Sequence, residues 1–285
     1  AAEADWGPND LIVFANEPCR IVPPETIIPH DSVGLWTVNA DGSDLRFLVD
    51  ETPDGRDFTG APEWSPDGQW IVASDFIGRI WMISGSCDSF VKLTESGGNW
   101  YPTFRPDGKR LAFSTPDSDA AGPRGVRTLD LETGTEKFVF PYGMDPSWSP
   151  DGSRLVFFGW LWVVNGWAAG IIVVDTTGEN ARMVCRTDDV PTGKSASFSP
   201  DGEEVVFHGR DEKQVDQVWM VKTDGSDLRQ RTWKGGQWPS WSRDGSEIVY
   251  TRIAYNDRTQ AGSGDLYVTS TDGSGERRLT FFYPR

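Results

Sequence analysis

One turn motif recurs along the chain and limits what it can fold into. "WSPDG" stands at 64–68 and 148–152, with variants "FRPDG" at 104–108, "FSPDG" at 198–202 and "WSRDG" at 241–245. Their aspartates, Asp67, Asp107, Asp151, Asp201 and Asp244, are spaced by 40, 44, 50 and 43 residues. A degenerate copy, "WGPND", starts at Trp6 and makes six units. Periods of this length mark repeat architectures, whose units cannot bury their apolar faces alone.

Each copy has a mechanical reading. Pro presets φ for the second position of a type I turn, Asp accepts hydrogen bonds from nearby backbone, and Gly takes the left-handed conformation that closes a hairpin. After each turn comes an apolar run: "LIVF" at 11–14, "WIVA" at 70–73, "RLAF" at 110–113, "RLVFF" at 154–158, "EVVF" at 204–207 and "EIVY" at 247–250. These read as strands buried on both faces. A second turn follows later in each unit: "ADGS" at 40–43, "SGSC" at 84–87, "ETGT" at 132–135, "TTGE" at 176–179, and "TDGS" at 223–226 and 271–274. One unit is therefore four antiparallel strands, the pattern of a propeller blade. The chain is expected to be all-β, a six-bladed β-propeller in a single domain spanning 1–285, with blades near 1–50, 51–95, 96–140, 141–187, 188–232 and 233–285.

Charge and composition exclude several roles. A net charge of −16 and a pI near 4.5, with no basic stripe, oppose nucleic-acid phosphates. Only 155–174 is apolar and uncharged over the length of about 18 residues that spans a bilayer. Asn165-Gly166 divides it, and its β-branched and aromatic residues read as two strands, so no transmembrane segment is expected. The start, "AAEADWG", looks like what a signal peptidase leaves behind, so the chain is expected outside the cytoplasm, periplasmic or secreted, with its signal peptide already removed. Cys19, Cys87 and Cys185 match no metal-binding spacing and allow at most one disulfide.

The pattern "P-x-W-S-P-D-G-x-x-I-x-F", followed by "I-W" and "D-G-S", resembles the propeller repeats of TolB-like proteins and of the N-terminal propellers of prolyl-oligopeptidase-type peptidases. The resemblance covers the whole chain through its six copies. It implies a six-bladed propeller, commonly an extracytoplasmic scaffold that binds protein partners. Neither the additional N-terminal domain of TolB nor a peptidase domain is expected here.

Residues for chemistry are sparse. No G-x-S-x-G elbow is present. His208, after "VVF", reads as a rim histidine bonded to a loop, and His30 lies in a Pro-rich loop. Loop carboxylates Asp117, Asp119, Asp211, Glu212, Asp257 and Asp265 offer paired acids and bases, as in glycoside hydrolysis, yet acidic loops are the rule at this net charge. No calcium-loop pattern occurs, and Asp-Gly here serves turns. No cofactor is expected, with a channel-bound cation such as calcium left open, and no catalytic residue is assigned.

Two binding features stand out. Three residues before each turn motif's Trp or Phe lie Glu3, Ala61, Tyr101, Asp145, Ser195 and Trp238. In a six-fold ring Tyr101 opposes Trp238 and Glu3 opposes Asp145, an arrangement able to hold a sugar, a cationic group or a peptide unless these side chains merely pack between blades. The second feature is the hairpin at 158–168, whose Trp160, Trp162 and Trp167 occupy no repeat slot and so mark either a docking surface or an element folded back on the propeller. The expected function is a non-enzymatic, extracytoplasmic scaffold that meets a protein partner through this hairpin, as a subunit of a larger assembly. The alternatives are a carbohydrate-active or otherwise catalytic propeller and a passive structural subunit.

Overall fold

The computed structural model describes residues 3–16, 34–115, 124–164, 166–191, 193–255 and 262–280. Cys19, His30 and most of the 15–33 loop, with Asp117, Asp119, Asn165 and Asp257, lie outside them. Six four-stranded sheets, each antiparallel and built from consecutive strands, form blades 1 to 6. Blade 1 comprises Ala4–Trp6, Leu11–Asn16, Gly34–Asn39 and Arg46–Val49; blade 2 comprises Phe58–Trp64, Trp70–Asp75, Ile80–Ser84 and Phe90–Lys92. Blade 3 holds Trp100–Phe104, Arg110–Thr115, Gly125–Asp130 and Glu136–Pro141, and blade 4 holds Met144–Trp148, Arg154–Val163, Gly166–Asp175 and Arg182–Arg186. Blade 5 runs through Lys194–Phe198, Glu204–Arg210, Asp216–Lys222 and Arg229–Gln230; blade 6 runs through Gln237–Trp241, Glu247–Tyr255, Gly262–Ser270 and Arg277–Arg278. The single helical element among the described residues is a 3₁₀ turn at Pro8–Asp10, and no helix is long and apolar enough to cross a membrane.

The first strand of every blade is innermost. These strands touch in sequence around a ring, and Ala4–Trp6 contacts both Phe58–Trp64 and Gln237–Trp241. Among the described residues the ring therefore closes between the first and last blades without exchanging a strand. The closure is made by side chains: Trp6, Ile12, Phe14 and Val38 of blade 1 pack against Val249, Leu266 and Val268 of blade 6.

The motif turns explain why the strands reverse where they do. In blade 2 the Gly68 N–H donates to Ser65 O at 2.8 Å, Ser65 Oγ donates to Asp67 at 2.6 Å, and the Gln69 N–H donates to the same carboxylate at 3.0 Å. Ser149–Asp151, Ser199–Asp201 and Ser242–Asp244 repeat the Ser–Asp bond. In the degenerate first copy, Asp10 takes the left-handed slot that glycine fills elsewhere, with φ +56°; Asp tolerates this region better than most residues. The Trp6 indole N–H donates to its carboxylate at 3.2 Å.

The strands after these turns are buried on both faces: Ile12, Val13, Phe14, Leu111, Phe113, Phe157 and Phe207 are fully buried. Each such Val, Leu, Ile or Phe contributes about 1.5–3 kcal/mol. Trp64, Trp148 and Trp241 end inner strands and are buried, as the repeat predicts. In the "IW" slot Trp81 is buried, whereas Trp36, Trp219 and Tyr267 are half-buried. Cys87 and Cys185 carry free thiols in blades 2 and 4.

Residues that break the motif hold the seams between blades. Arg105, where the other full copies have Ser, lays its guanidinium 5.8 Å from the centre of the Trp148 ring and donates to Gly152 O at 3.0 Å in the next blade. Arg243, where other copies have Pro, reaches from blade 6 past blade 1 to Pro66 O, at 2.9 Å. Gly7 leaves room for Trp64, since a Cβ there would lie 2.1 Å from Trp64 Cδ1. Gly7→Ala is therefore expected to lower stability by about 1–3 kcal/mol, the usual cost of overpacking, read as a lower urea midpoint with an unchanged slope.

Candidate functional site

In five blades the inner strand carries one extra residue against its neighbour. Between Met144↔Phe158 and Ser147↔Val156, for example, the inner strand advances three residues and its partner two; blades 2, 3, 5 and 6 show the same step. Within each of these bulges a non-glycine residue has positive φ: Ala61 (+46°), Tyr101 (+57°), Asp145 (+61°), Ser195 (+50°) and Trp238 (+50°). A conformation of this kind costs on the order of 1–3 kcal/mol and persists only where surrounding pairing imposes it. Bulges re-aim side chains, and here they serve the channel. With Glu3 of blade 1, these are the six positions aligned from the sequence, and all six line one cavity of about 130 Å³ on the ring axis. All are half-buried.

A second ring lies two residues further along: Asp5, Glu63, Thr103, Ser147, Ser197 and Ser240 line the same cavity. Three of these side chains reach across seams. Asp5 accepts the Trp64 N–H of blade 2 at 2.9 Å, and Glu63 accepts the Phe104 N–H of blade 3 at 2.7 Å and the Thr103 hydroxyl at 3.1 Å. Ser240 of blade 6 accepts the Trp6 N–H of blade 1 at 3.4 Å. The sequence alignment passed over this ring. Its signal was the two-residue period of a strand, which puts residues i and i+2 on one face.

Burial sets the electrostatics of the channel. Removal from water pushes Asp5 up to about 6, partly offset by the bonds from Trp64 and Ser240 and by Arg243. Glu63 is raised well above the usual carboxylate range, first by burial and then by the neighbouring Asp5. Asp145 is raised by burial too, opposed by the Ser195 hydroxyl, which donates to it at 2.7 Å.

His208 is not on the rim. It is buried in the second strand of blade 5, and its Nδ1 accepts the backbone N–H of Trp238 at 3.3 Å. Burial holds it neutral, down to about 4. Its place behind Trp238 follows from pairing with Lys194 at the start of the inner strand, a tertiary fact that its sequence neighbours do not carry.

Of the carboxylates expected in loops, Asp211 is occupied structurally, Glu212 is exposed, and Asp265 is a buried member of the third strand of blade 6 rather than a loop residue. Asp211 accepts the N–H groups of Lys213 and Val215, at 2.8 and 3.0 Å, and caps its own turn. Asp265 is bound by Arg278 and by the Thr280 hydroxyl. Among the described residues no group of three or more His, Cys, Asp or Glu is placed to hold a metal ion.

The hairpin forms and projects. Arg154–Val163 pairs with Gly166–Asp175 along its whole length, while the flanking first and fourth strands end at Met144↔Phe158 and Gly170↔Arg186. Val163 pairs with Gly166, so Gly166 opens the return strand and the Asn-Gly pair expected as the turn is displaced by one position. Trp162 and Trp167 are direct cross-strand partners, edge to face at 5.5 Å, and Tyr142 adds a further edge contact to Trp167 at 6.3 Å. Trp160 packs on Phe158 at 5.4 Å. Exposure rises toward the tip: Trp160 is 37%, Trp162 66% and Trp167 59% exposed. The hairpin tip and the channel mouth open on the same face, because both lie at the ends of strands away from the motif turns.

Comparison with solved structures decides the architecture. TolB of Acinetobacter baumannii superposes with a TM-score of 0.74 at 19% identity, over 94% of this chain and 62% of that one. The chain has the fold of the TolB propeller. A putative TolB of Agrobacterium tumefaciens matches with a TM-score of 0.67 at 22% identity, over 85% of this chain and 86% of that one. An oligogalacturonate lyase in complex with manganese matches at 0.56 and 18% identity, over 98% of this chain and 74% of that one. In sequence, 118 residues, 36% of the chain, are 30% identical to an uncharacterized protein of Agrobacterium fabrum, and the match spans 40% of that relative's length. No family model matches the sequence.

The raised carboxylates predict a pH dependence. A folded-state acid titrating near 6 binds protons that the unfolded chain has released, so stability falls as pH rises from about 4 through 6. Asp5→Asn removes that loss. Its gain over the parent chain is expected to be near zero at pH 4 and to grow to on the order of 1–3 kcal/mol by pH 7, measured by urea denaturation of both proteins at each pH.

Proposed function

We propose that the chain is a non-enzymatic, extracytoplasmic propeller scaffold that docks a protein partner through the hairpin of blade 4, as one subunit of a larger assembly. The observation that carries this reading is the cross-strand pair Trp162–Trp167, more than half exposed on a ribbon that outruns its blade. Exposed apolar patches of this kind mark interaction sites, and Trp is enriched among residues that dominate interface energy. The likeness to TolB propellers supports the reading. Net charge of −16 lies outside the hairpin, whose 155–174 stretch carries no charge to be desolvated on docking.

A catalytic reading has one observation in its favour: carboxylates raised by burial line a cavity, as acids and bases do in active sites. Against it, Asp5 and Glu63 each accept a backbone N–H from the next blade and so are spent on the seams.

The test uses Trp160, Trp162 and Trp167 replaced together by Ser. Protein recovered from its native source is expected to elute with companions, and the triple variant as a folded monomer with an unchanged circular dichroism spectrum. A parent chain that elutes alone, or an assembly that survives the substitutions, overturns the reading.

A further inference from the structure

We infer that the groove between blades 5 and 6, on the face of the motif turns, binds the guanidinium group of a partner's arginine side chain, seated on Asp201, Trp241 and the carbonyl of Gly245. The site lies on the face opposite the hairpin and does not depend on the hairpin's docking.

The repeat itself shows what such a groove holds. Between blades 3 and 4, the Arg105 guanidinium stands 5.8 Å from the Trp148 ring centre, donates to Gly152 O and pairs with Asp107. Between blades 4 and 5, Arg154 stands 5.2 Å from the Phe198 ring centre and its Nη2 donates to Gly202 O at 3.4 Å. The two arginines start from different positions, the second residue of the motif and the first residue of the strand after it. They reach the same place, the motif aromatic and motif glycine of the next blade. At the seam of blades 5 and 6 those two positions are Ser199 and Glu204, and neither supplies a cation. The receiving groups are all present. Asp201, Trp241 and Gly245, the counterparts of Asp107, Trp148 and Gly152, line one groove of about 350 Å³ together with Asp244. The equivalent groove between blades 2 and 3 differs: Trp70 takes the strand position, and Met82, Phe104 and Leu131 make it apolar.

Both aspartates keep an open oxygen. Asp201 gives Oδ1 to its own turn, accepting Ser199 Oγ at 2.6 Å and the Glu203 N–H at 3.0 Å. Asp244 does the same with the Ser246 N–H at 2.9 Å and the hydroxyls of Ser246 and Ser242, each at 2.7 Å. Among the described residues neither Oδ2 has a hydrogen bond or an ion pair. The turn bonds hold both carboxyls below the usual range, Asp244 down to about 2, so both are charged at neutral pH.

The chain's nearby cations are held elsewhere. Arg229 pairs with Glu204 and Asp227, and Arg231 donates to Met220 Sδ at 3.2 Å and Asp272 O at 3.4 Å. Arg243 reaches Pro66 O. Among the described residues no cation stands over Trp241. Every residue lining the groove is described, and the segments outside the described residues attach to strand ends at the other face. A planar guanidinium can lie against an aromatic ring and fork onto a carboxylate and a carbonyl at once, which the compact ammonium of lysine cannot.

The experiment is titration of the ¹⁵N-labelled chain with acetyl-Gly-Arg-Gly-amide and with its lysine and citrulline analogues, followed at the Trp241 indole N–H resonance. A saturable shift is expected, with arginine about fivefold tighter than either analogue. Asp201→Asn, whose amide oxygen keeps the Ser199 and Glu203 bonds, is expected to weaken arginine binding about threefold. Ser199→Arg, which copies Arg105 of blade 3, is expected to fill the groove with the chain's own guanidinium and abolish binding. No saturable shift, equal affinity for either analogue, or binding unchanged in either variant overturns the inference. So does calcium chloride alone shifting the resonance saturably and displacing the arginine peptide, which would assign the groove to an inorganic cation. The triple Ser variant of the hairpin keeps the two claims apart: it is expected to bind the arginine peptide like the parent chain, whatever becomes of the assembly.

Discussion

Every other feature depends on one constraint, the burial of sheet faces against neighbouring sheets. No blade here covers its own two faces, and the buried apolar side chains fall into six clusters, each straddling one seam. Phe58, Trp64 and Ile71 pack on Val13 and Leu35 between blades 2 and 1, and Phe157 and Trp148 pack on Val126 and Phe140 between blades 4 and 3. The same logic runs through the junction of the termini, where a three-residue strand, Ala4–Trp6, suffices because its neighbours on both sides are already in place. A ring closed this way has no blade with an uncovered face.

Closure brings six chain segments to one axis, and there polar groups must be satisfied without a sheet neighbour. The molecule answers with hydrogen bonds across seams. Asp5, Glu63 and Ser240 each take a backbone N–H from the adjacent blade. These groups stitch the half of the ring that contains the degenerate first motif. Their burial raises the two carboxylates, so the stitches carry an electrostatic penalty that grows as the pH rises. The channel is thus acidic for a structural reason before any ligand is considered.

The bulges join this frame to the channel surface. An extra residue in the inner strand disrupts pairing locally. In exchange it directs one side chain per blade into the cavity, and in blades 3 and 6 that side chain is aromatic. The hairpin of blade 4 uses a different device on the same face: it lengthens the middle strands past the outer ones, leaving a two-stranded ribbon with Trp162 and Trp167 side by side. One surface is concave and lined by carboxylates; the other is convex and apolar.

The sequence by itself determined the number of blades, the four-strand unit and the order of strands, because each rests on local chemistry: Pro, Asp and Gly in turns, and apolar runs between them. It also determined which six residues meet at the channel, since a fixed offset from a repeated turn becomes a ring once the units close. Only the tertiary structure decided that Asp5 and Glu63 are seam bonds, that His208 is buried behind Trp238, and that Arg243 spans to blade 2. Those partners lie far apart in the chain or in different blades, and no local propensity encodes a contact across a seam. Whether the three hairpin tryptophans face water was equally a matter of tertiary packing: their spacing puts them in a ribbon, but exposure depends on where the neighbouring strands stop.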